Sequence, residues 1–128
     1  MLIIDMTGFD EDVRAFIGGD FLERNVKFGD SFYIISFAGA VRAPWLETSG
    51  RVMGNNDMVR IKRVIQGLVR IDAVADIDGA LAFVEEYAAG LGTRQKQITM
   101  VTPASVPKSS LVEVVKMGTP YRPPSTAA

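Results

Sequence analysis

Residues 31–38, with the sequence SFYIISFA, constrain the fold more than any other stretch of this chain. The segment is apolar on both faces, and a strand of this kind is typical of a sheet that is covered on both sides. Two further apolar runs, within LIIDM at residues 2–6 and KQITMVTP at residues 96–103, also predict strands. The sequence therefore predicts a central sheet with helices packed on each face.

Three segments place apolar residues at helical spacing and predict the covering helices: 10–25, 55–71 and 76–91. The first opens with three acidic residues, which suit a helix N-terminus. It also contains Gly18 and Gly19, each of which costs up to about 1 kcal/mol inside a helix. Asn and Asp residues are expected to cap the second helix, and Asp76 is expected to cap the third.

The remaining segments join these elements and complete the chain. Residues 40–54 predict an edge hairpin, because Pro44 is tolerated only at a sheet edge and Ser49-Gly50 is a turn signal. Residues 111–117 fit either a helix or a further strand. Residues 119–128 form a Pro-rich polar tail that is expected to be disordered.

The order of these elements predicts an α/β fold: a three-layer sandwich with a mainly parallel central sheet, helices on both faces and an antiparallel edge hairpin. A single domain is expected over residues 1–118, followed by the tail. In such sheets ligands bind at the carboxyl ends of the strands. Asp5, Ala38, Thr102 and the helix start at Asp76 should therefore meet at one edge.

Composition excludes several classes of function. With 14 basic and 15 acidic residues the net charge is −1. No basic stripe with interleaved aromatic residues is present, so nucleic acid is not expected as a partner. The chain has no histidine and no cysteine, which removes the commonest general base, thiolate chemistry and the usual ligands of zinc. No cofactor is expected, and no apolar run reaches the roughly 20 residues of a membrane span.

Taken together, these segments resemble a von Willebrand factor type A domain, from residue 2 to about residue 102. That family opens with an apolar strand ending in Asp-x-Ser-x-Ser, matched here by IIDMTGF. It continues with a Gly-Asp turn and an apolar strand, matched by FGDSFYIISFAGAV, and later with a helix and a strand, matched by AVADIDGALAFVEEY and KQITMVTPAS. The resemblance implies an α/β fold with a binding site at the carboxyl ends of the strands.

The resemblance also implies where a metal would be held, and most of that ligand set is missing. Asp5 and Thr7 match the first Asp and the first hydroxyl with which metal-binding members hold Mg²⁺. The other three ligand positions fall on Phe9, Ala75 and Pro103, which offer no side-chain oxygen. Mg²⁺ requires near-octahedral oxygen coordination, so the metal site is interpreted as vestigial. Asp5 is then expected to accept hydrogen bonds from Thr7 or from the following turn.

The carboxyl edge of the sheet is nevertheless the expected surface for binding a partner. Its loops carry two acids near a helix start and an aromatic residue after the first strand, and the only tryptophan lies on the predicted edge hairpin. The candidate partner-binding residues are Asp5, Thr7, Phe9, Trp45, Asp76 and Asp78. Each also has a structural interpretation, with Phe9 and Trp45 as packing residues and the later two acids facing a helix dipole.

The sequence thus favours a soluble, non-catalytic module for protein–protein interaction or scaffolding. One alternative is a Mg²⁺- or Mn²⁺-dependent adhesion module that has rebuilt its site from Asp5, Thr7, Asp76 and Asp78. Another is an α/β enzyme, which would need Asp5 and Asp76 within hydrogen-bonding reach of each other. The family usually carries two more strands than remain here, which indicates either a segment of a longer, extracytoplasmic protein or a homodimer through an open sheet edge.

Overall fold

The chain folds around one five-stranded sheet. The computed structural model describes residues 1–39, 42–92, 96–108 and 111–123, with the backbone alone at position 42. The strands within these residues are β1 (Leu2–Asp5), β2 (Ser31–Ala38), β3 (Arg42–Arg51), β4 (Thr99–Thr102) and β5 (Glu113–Lys116). Their spatial order is β3-β2-β1-β4-β5, and only β2 and β3 run antiparallel. The predicted α/β class with a mainly parallel sheet is confirmed.

Both faces of the sheet are covered by helices. On one face lies a helical run made of α1 (Glu11–Phe16), a π-helical turn (Ile17–Phe21) and α2 (Leu22–Asn25), together with α3 (Asn55–Gly67). Side chains of Leu2, Ile4 and Ile34 bury themselves against these helices. The π-helical turn contains Gly18 and Gly19, so the helix widens at the point where the sequence weakens it.

The opposite face is covered by α4 (Ile77–Gly90). Its residues Ala80, Val84 and Ala88 pack against Ile3, Ile35, Phe37 and Met100 of the three central strands. Because β1 sends Leu2 and Ile4 to one layer and Ile3 to the other, a run of only four residues is buried on both sides. The core therefore consists of two apolar layers separated by the sheet.

Two details of the sequence analysis are wrong. Ser49-Gly50 is not a turn, because both residues lie within β3 and pair with Tyr33 and Phe32 of β2. The antiparallel pairing of Ala38 with Arg42 places the reversal between these two residues, and Gly39 there has a φ of +56°, which is readily available only to glycine. The rest of that connection, at residues 40 and 41, lies outside the described residues.

The N-terminus of α3 also differs from the expectation. Its N-cap is Gly54, and no side chain caps the helix. Asp57 lies inside the first turn, where its carboxylate accepts a hydrogen bond from the Met53 N–H at 2.8 Å. In contrast, Pro44 lies on an edge strand, as predicted, since β3 forms one edge of the sheet.

The ambiguous segment after β4 forms a strand, β5, which pairs in parallel with β4 and forms the second edge of the sheet. The first residue of the predicted tail is fixed by two hydrogen bonds: the Thr119 N–H donates to the Gly8 carbonyl and its hydroxyl donates to Asp10. Residues 124–128 lie outside the described part of the chain. None of the helices in the described ranges has both the length and the apolar character needed to cross a membrane.

Candidate functional site

The carboxyl ends of β1, β2 and β4 meet at one edge of the sheet, which we call the rim. It comprises residues 5–9, 38–39, 72–78 and 102–104, together with the first residues of β3, 42–45, which pair with the carboxyl end of β2. Parallel pairing places Asp5 beside Phe37 of β2, and the side chains of Asp5 and Thr102 touch directly although 97 positions separate them in the sequence. The expected meeting of these strand ends is confirmed by this geometry.

The Asp5 carboxylate is buried at the rim and is engaged by three donors. The Thr7 hydroxyl and the Thr7 N–H donate to Oδ1 at 2.6 and 2.9 Å. The Thr102 hydroxyl donates to Oδ2 at 2.6 Å and itself accepts from the Ala104 N–H at 3.1 Å. Asp5 is 2% exposed and Thr102 is 0% exposed, so these bonds supply the polar partners that a carboxylate away from water requires. Asp5 therefore joins β1 to β4 and to the loop after β1.

In this arrangement the Asp5 oxygens that could bind a metal ion accept hydrogen bonds from the hydroxyls of Thr7 and Thr102. A cation bound at Asp5 would require the hydroxyl hydrogens of Thr7 and Thr102 to turn away from the carboxylate. Asp76, proposed as part of a rebuilt site, instead accepts a hydrogen bond from the Gly79 N–H at 3.0 Å, as the N-cap of α4. Among the described residues, no group of three or more His, Cys, Asp or Glu side chains is arranged to hold a metal.

The loop before α4 lies against the end of β2. A Cβ atom at Gly39 would overlap the Val74 carbonyl, so the backbones of these two segments are in close contact. Val74 is 66% exposed, and Asp76 and Asp78 beside it are exposed as well. This loop is therefore a partly apolar part of the rim, with the carboxylates of Asp76 and Asp78 beside Val74.

Phe9 lies in the core, not at the surface. It is 2% exposed and belongs to the apolar layer under α1. The Arg14 guanidinium lies 4.9 Å from the centre of its ring, within the range of a cation–π interaction. Phe9 was a candidate anchor for a partner, but in this conformation its ring is not accessible to one.

Trp45 lies on β3, opposite Ser36 of β2, and is 56% exposed. A tryptophan with half of its surface in water is a frequent component of binding surfaces. Of the six candidate residues, the structure thus brings Asp5 and Thr7 together in a buried tie, buries Phe9, and leaves Trp45, Asp76 and Asp78 at the surface.

Two polar partners at the strand ends were not named by the sequence analysis as site residues. Thr102 is the second hydroxyl that binds Asp5. Ser36, also 0% exposed, donates to Glu47 Oε1 of β3 at 2.7 Å. The signal for Thr102 was its position at the end of a strand parallel to β1, but pairing it with Asp5 required knowing that β4 is the neighbour of β1.

A cleft of about 820 Å³ opens at the end of the sheet away from the rim, between the start of β2 and the end of α4. Two cationic side chains that line it donate hydrogen bonds to backbone carbonyls: Arg51 to that of Gly29 and Lys96 to that of Gly92. The Met1 amino group, also at this cleft, donates to the Gln97 carbonyl. The cleft is therefore a weaker candidate for a binding site than the rim, where large apolar side chains are exposed.

Comparison of the chain with protein-family models, with curated proteins and with solved structures finds no match in any of the three.

Proposed function

We propose that this chain is a non-catalytic protein-interaction module of the von Willebrand factor type A kind, in which the metal site is vestigial and the rim binds a protein partner. The observation that carries the proposal is that the hydroxyls of Thr7 and Thr102 each donate a hydrogen bond to one oxygen of the buried Asp5 carboxylate. Asp5, which the resemblance matches to a metal ligand, instead links β1 to β4 through these hydrogen bonds. Recognition at the rim then depends on shape and on apolar and charged surface.

The exposed part of the rim supports this proposal. Trp45 and Val74 are 56% and 66% exposed, and aromatic side chains such as that of Trp45 are enriched in protein interfaces. Asp76 and Asp78 place carboxylates next to Val74. Apolar residues surrounded by charged ones form the typical arrangement of a protein interface, with an apolar centre and a polar border.

A metal titration separates the vestigial site from the rebuilt one. Thermal or urea unfolding is followed with and without millimolar Mg²⁺ or Mn²⁺, and with EDTA as the blank. At 100 times its dissociation constant a bound ion would raise the free energy of unfolding by about 2.7 kcal/mol. We expect no change in the unfolding midpoint. A clear increase that disappears in the Asp5→Asn variant would refute the vestigial site and favour the metal-dependent alternative.

Site-specific photo-crosslinking tests the rim as the binding surface. A photoreactive phenylalanine analogue replaces Trp45 or Asp78 in turn, and the matched control replaces Glu85, which is exposed on α4 about two helical turns further from the rim. The probe is a lysate of the source cells, with unlabelled wild-type chain or its Trp45→Ala variant as competitor. We expect one protein adduct at positions 45 and 78 that wild-type chain suppresses and the variant does not. Equal adducts at all three positions, or none at the rim, would refute the proposal.

A further inference from the structure

The two edges of the sheet, β3 and β5, differ in how well they can accept another strand. β3 contains Pro44 and pairs with β2 through two register shifts, at Ile34/Ile35 and at Ser36/Ala38. Proline and bulges are devices by which proteins protect an edge from pairing. β5 pairs with β4 in continuous register from Glu113 to Lys116. The edge that remains regular is therefore the one formed by β5.

Hydrogen bonds to β4 determine which backbone groups of β5 face outward. The Glu113 N–H donates to the Ile98 carbonyl at 2.9 Å, and the Met117 N–H donates to the Thr102 carbonyl at 3.1 Å. In a parallel ladder, successive residues turn their N–H and C=O groups alternately to one side and the other. The groups of Val114 and Lys116 therefore point toward the open edge.

The edge strand β5 carries a partly exposed apolar side chain, that of Val114. Val114 lies beside Met100 on the face that α4 covers, but α4 contacts β3, at the far end of the sheet. Met100 is fully buried, whereas Val114 remains 37% exposed and Leu111, just before β5, remains 39% exposed. The layer on this face is thus incomplete at β5.

We propose that β5 pairs antiparallel with β5 of a second copy of this chain, centred on Val114, so that two sheets join across a twofold axis. Such an axis is perpendicular to the sheet and keeps each face continuous. Residues opposite each other must then lie on the same face, and the outward-facing residues must form the hydrogen-bonded pairs. Val114 meets Val114 of the second copy, and Lys116 meets Val112 of the second copy.

The charges of β5 favour this register over its neighbours. A shift of the centre to residue 113 would place Glu113 opposite Glu113 of the second copy, and a shift to 116 would place two lysines opposite each other. Like charges directly opposite are destabilising. Centring on Val115 avoids this but places Val112 opposite Gly118 of the second copy, whose φ of +113° is not that of an extended strand. With Val114 at the centre, Glu113 faces Val115 and Lys116 faces Val112, so no like charges lie opposite each other.

The interface consists of one pair of short strands, so we expect the reversible self-association seen for small interfaces. It uses a different part of the molecule from the rim and does not rest on the proposed function. If the chain does not self-associate but still crosslinks at the rim, only the β5 dimer is refuted. If it self-associates but does not crosslink at the rim, only the proposed function is refuted.

Cysteine crosslinking tests the register, and the chain contains no cysteine of its own. In the proposed pair the Cα atoms of the two Val114 residues lie about 5.5 Å apart, within the range that a disulfide spans. The control positions are 115, which would be central in the competing register, and 116, which would be far from its copy. After mild oxidation we expect the Val114→Cys chain to give at least about tenfold more dimer than Lys116→Cys or Val115→Cys. Equal yields at the three positions, or a maximum at 115, would overturn the proposal.

Sedimentation analysis tests the dimer without oxidation. We expect the wild-type mass to rise toward twice the monomer mass as concentration increases. Val114→Lys places two ammonium groups opposite each other and should remain monomeric, whereas Val69→Lys, at a 66% exposed valine outside β5, should behave as wild type. Circular dichroism confirms that both variants fold; if Val114→Lys does not fold, the crosslinking ratio decides. A wild-type chain that stays monomeric, or a Val114→Lys chain that still dimerises, would contradict the proposal.

Discussion

The hydroxyl of Thr102 connects the first strand of the chain to the fourth through the buried carboxylate of Asp5. A carboxylate without a cationic partner is tolerated in the interior only when its oxygens are hydrogen-bonded. Here two hydroxyls and one backbone N–H meet that requirement. At the scale of single residues, the role of this buried acid is therefore set by the neighbours that donate hydrogen bonds to it.

Replacing Thr102 with valine removes this hydroxyl while retaining the shape of the side chain. Asp5 Oδ2 and the Ala104 N–H lose a buried partner, so we expect the free energy of unfolding to fall by about 1–3 kcal/mol in urea denaturation. Thr119→Val is the control, because its hydroxyl bond to Asp10 is exposed and water can replace it. Equal losses for the two variants would show that the buried tie makes no special contribution.

At the scale of elements, Arg14 joins α1 to the end of α3. Its guanidinium donates to the carbonyls of Ile65, Gln66 and Leu68 at 2.8, 2.7 and 2.8 Å. The last carbonyls of a helix have no partners within it, and a cation is favourable there. Arg14 of α1 therefore caps the C-terminus of α3.

We expect Arg14→Ala to lower the free energy of unfolding by about 2–3 kcal/mol, as for hydrogen bonds from charged groups. Arg14→Lys should lie between this variant and wild type, because an ammonium cannot reproduce the planar fork. The measurement is urea denaturation. Arg63→Ala, an exposed position on α3, should change stability by less than about 0.5 kcal/mol. A loss at Arg14 no larger than at Arg63 would refute this role.

Replacement of glycine by alanine is expected to have opposite effects on stability at positions 19 and 39. Gly19 lies in the π-helical turn with open space around its Cα, so Gly19→Ala should raise the free energy of unfolding by up to about 1 kcal/mol. Gly39 has a φ of +56°, and a Cβ atom there would overlap the Val74 carbonyl. Gly39→Ala should therefore destabilise the protein by more than about 1 kcal/mol. Thermal melts of both variants test the pair, and a stabilising Gly39→Ala would refute the close contact.

At the scale of the whole molecule, the chain has no histidine or cysteine to titrate near neutral pH. The dependence of stability on pH in that range is therefore expected to come mainly from the α-amino group of Met1. Burial lowers the pKa of the Met1 amino group from 8.0 to about 6. Between these values the unfolded chain binds more protons than the folded one, so stability rises with pH. We expect the free energy of unfolding to increase by at most about 2.7 kcal/mol from pH 6 to pH 8. Urea denaturation across this range measures it, and acetylation of the amine should abolish the trend.

Much of the fold, but little of the rim, is accessible from the sequence. The strands 2–5 and 31–38 and the helix capped by Asp76 follow from local periodicity and capping. The misplaced turn at Ser49-Gly50 shows where local signals fail: these residues also fit a strand, and Gly39 was the glycine that the backbone required. The burial of Phe9 and the pairing of Asp5 with Thr102 depend on strand order, which no local pattern specifies.

The segment that comes first in the chain, β1, occupies the centre of the sheet, between β2 and β4. During synthesis it must wait for its second neighbour until residues 99–102 have left the ribosome. Non-local pairing of this kind is slow to form and leaves strand edges exposed meanwhile. The nascent chain therefore cannot place β1 between both of its neighbours until residue 102 has been made, and before then one side of β1 has no strand beside it.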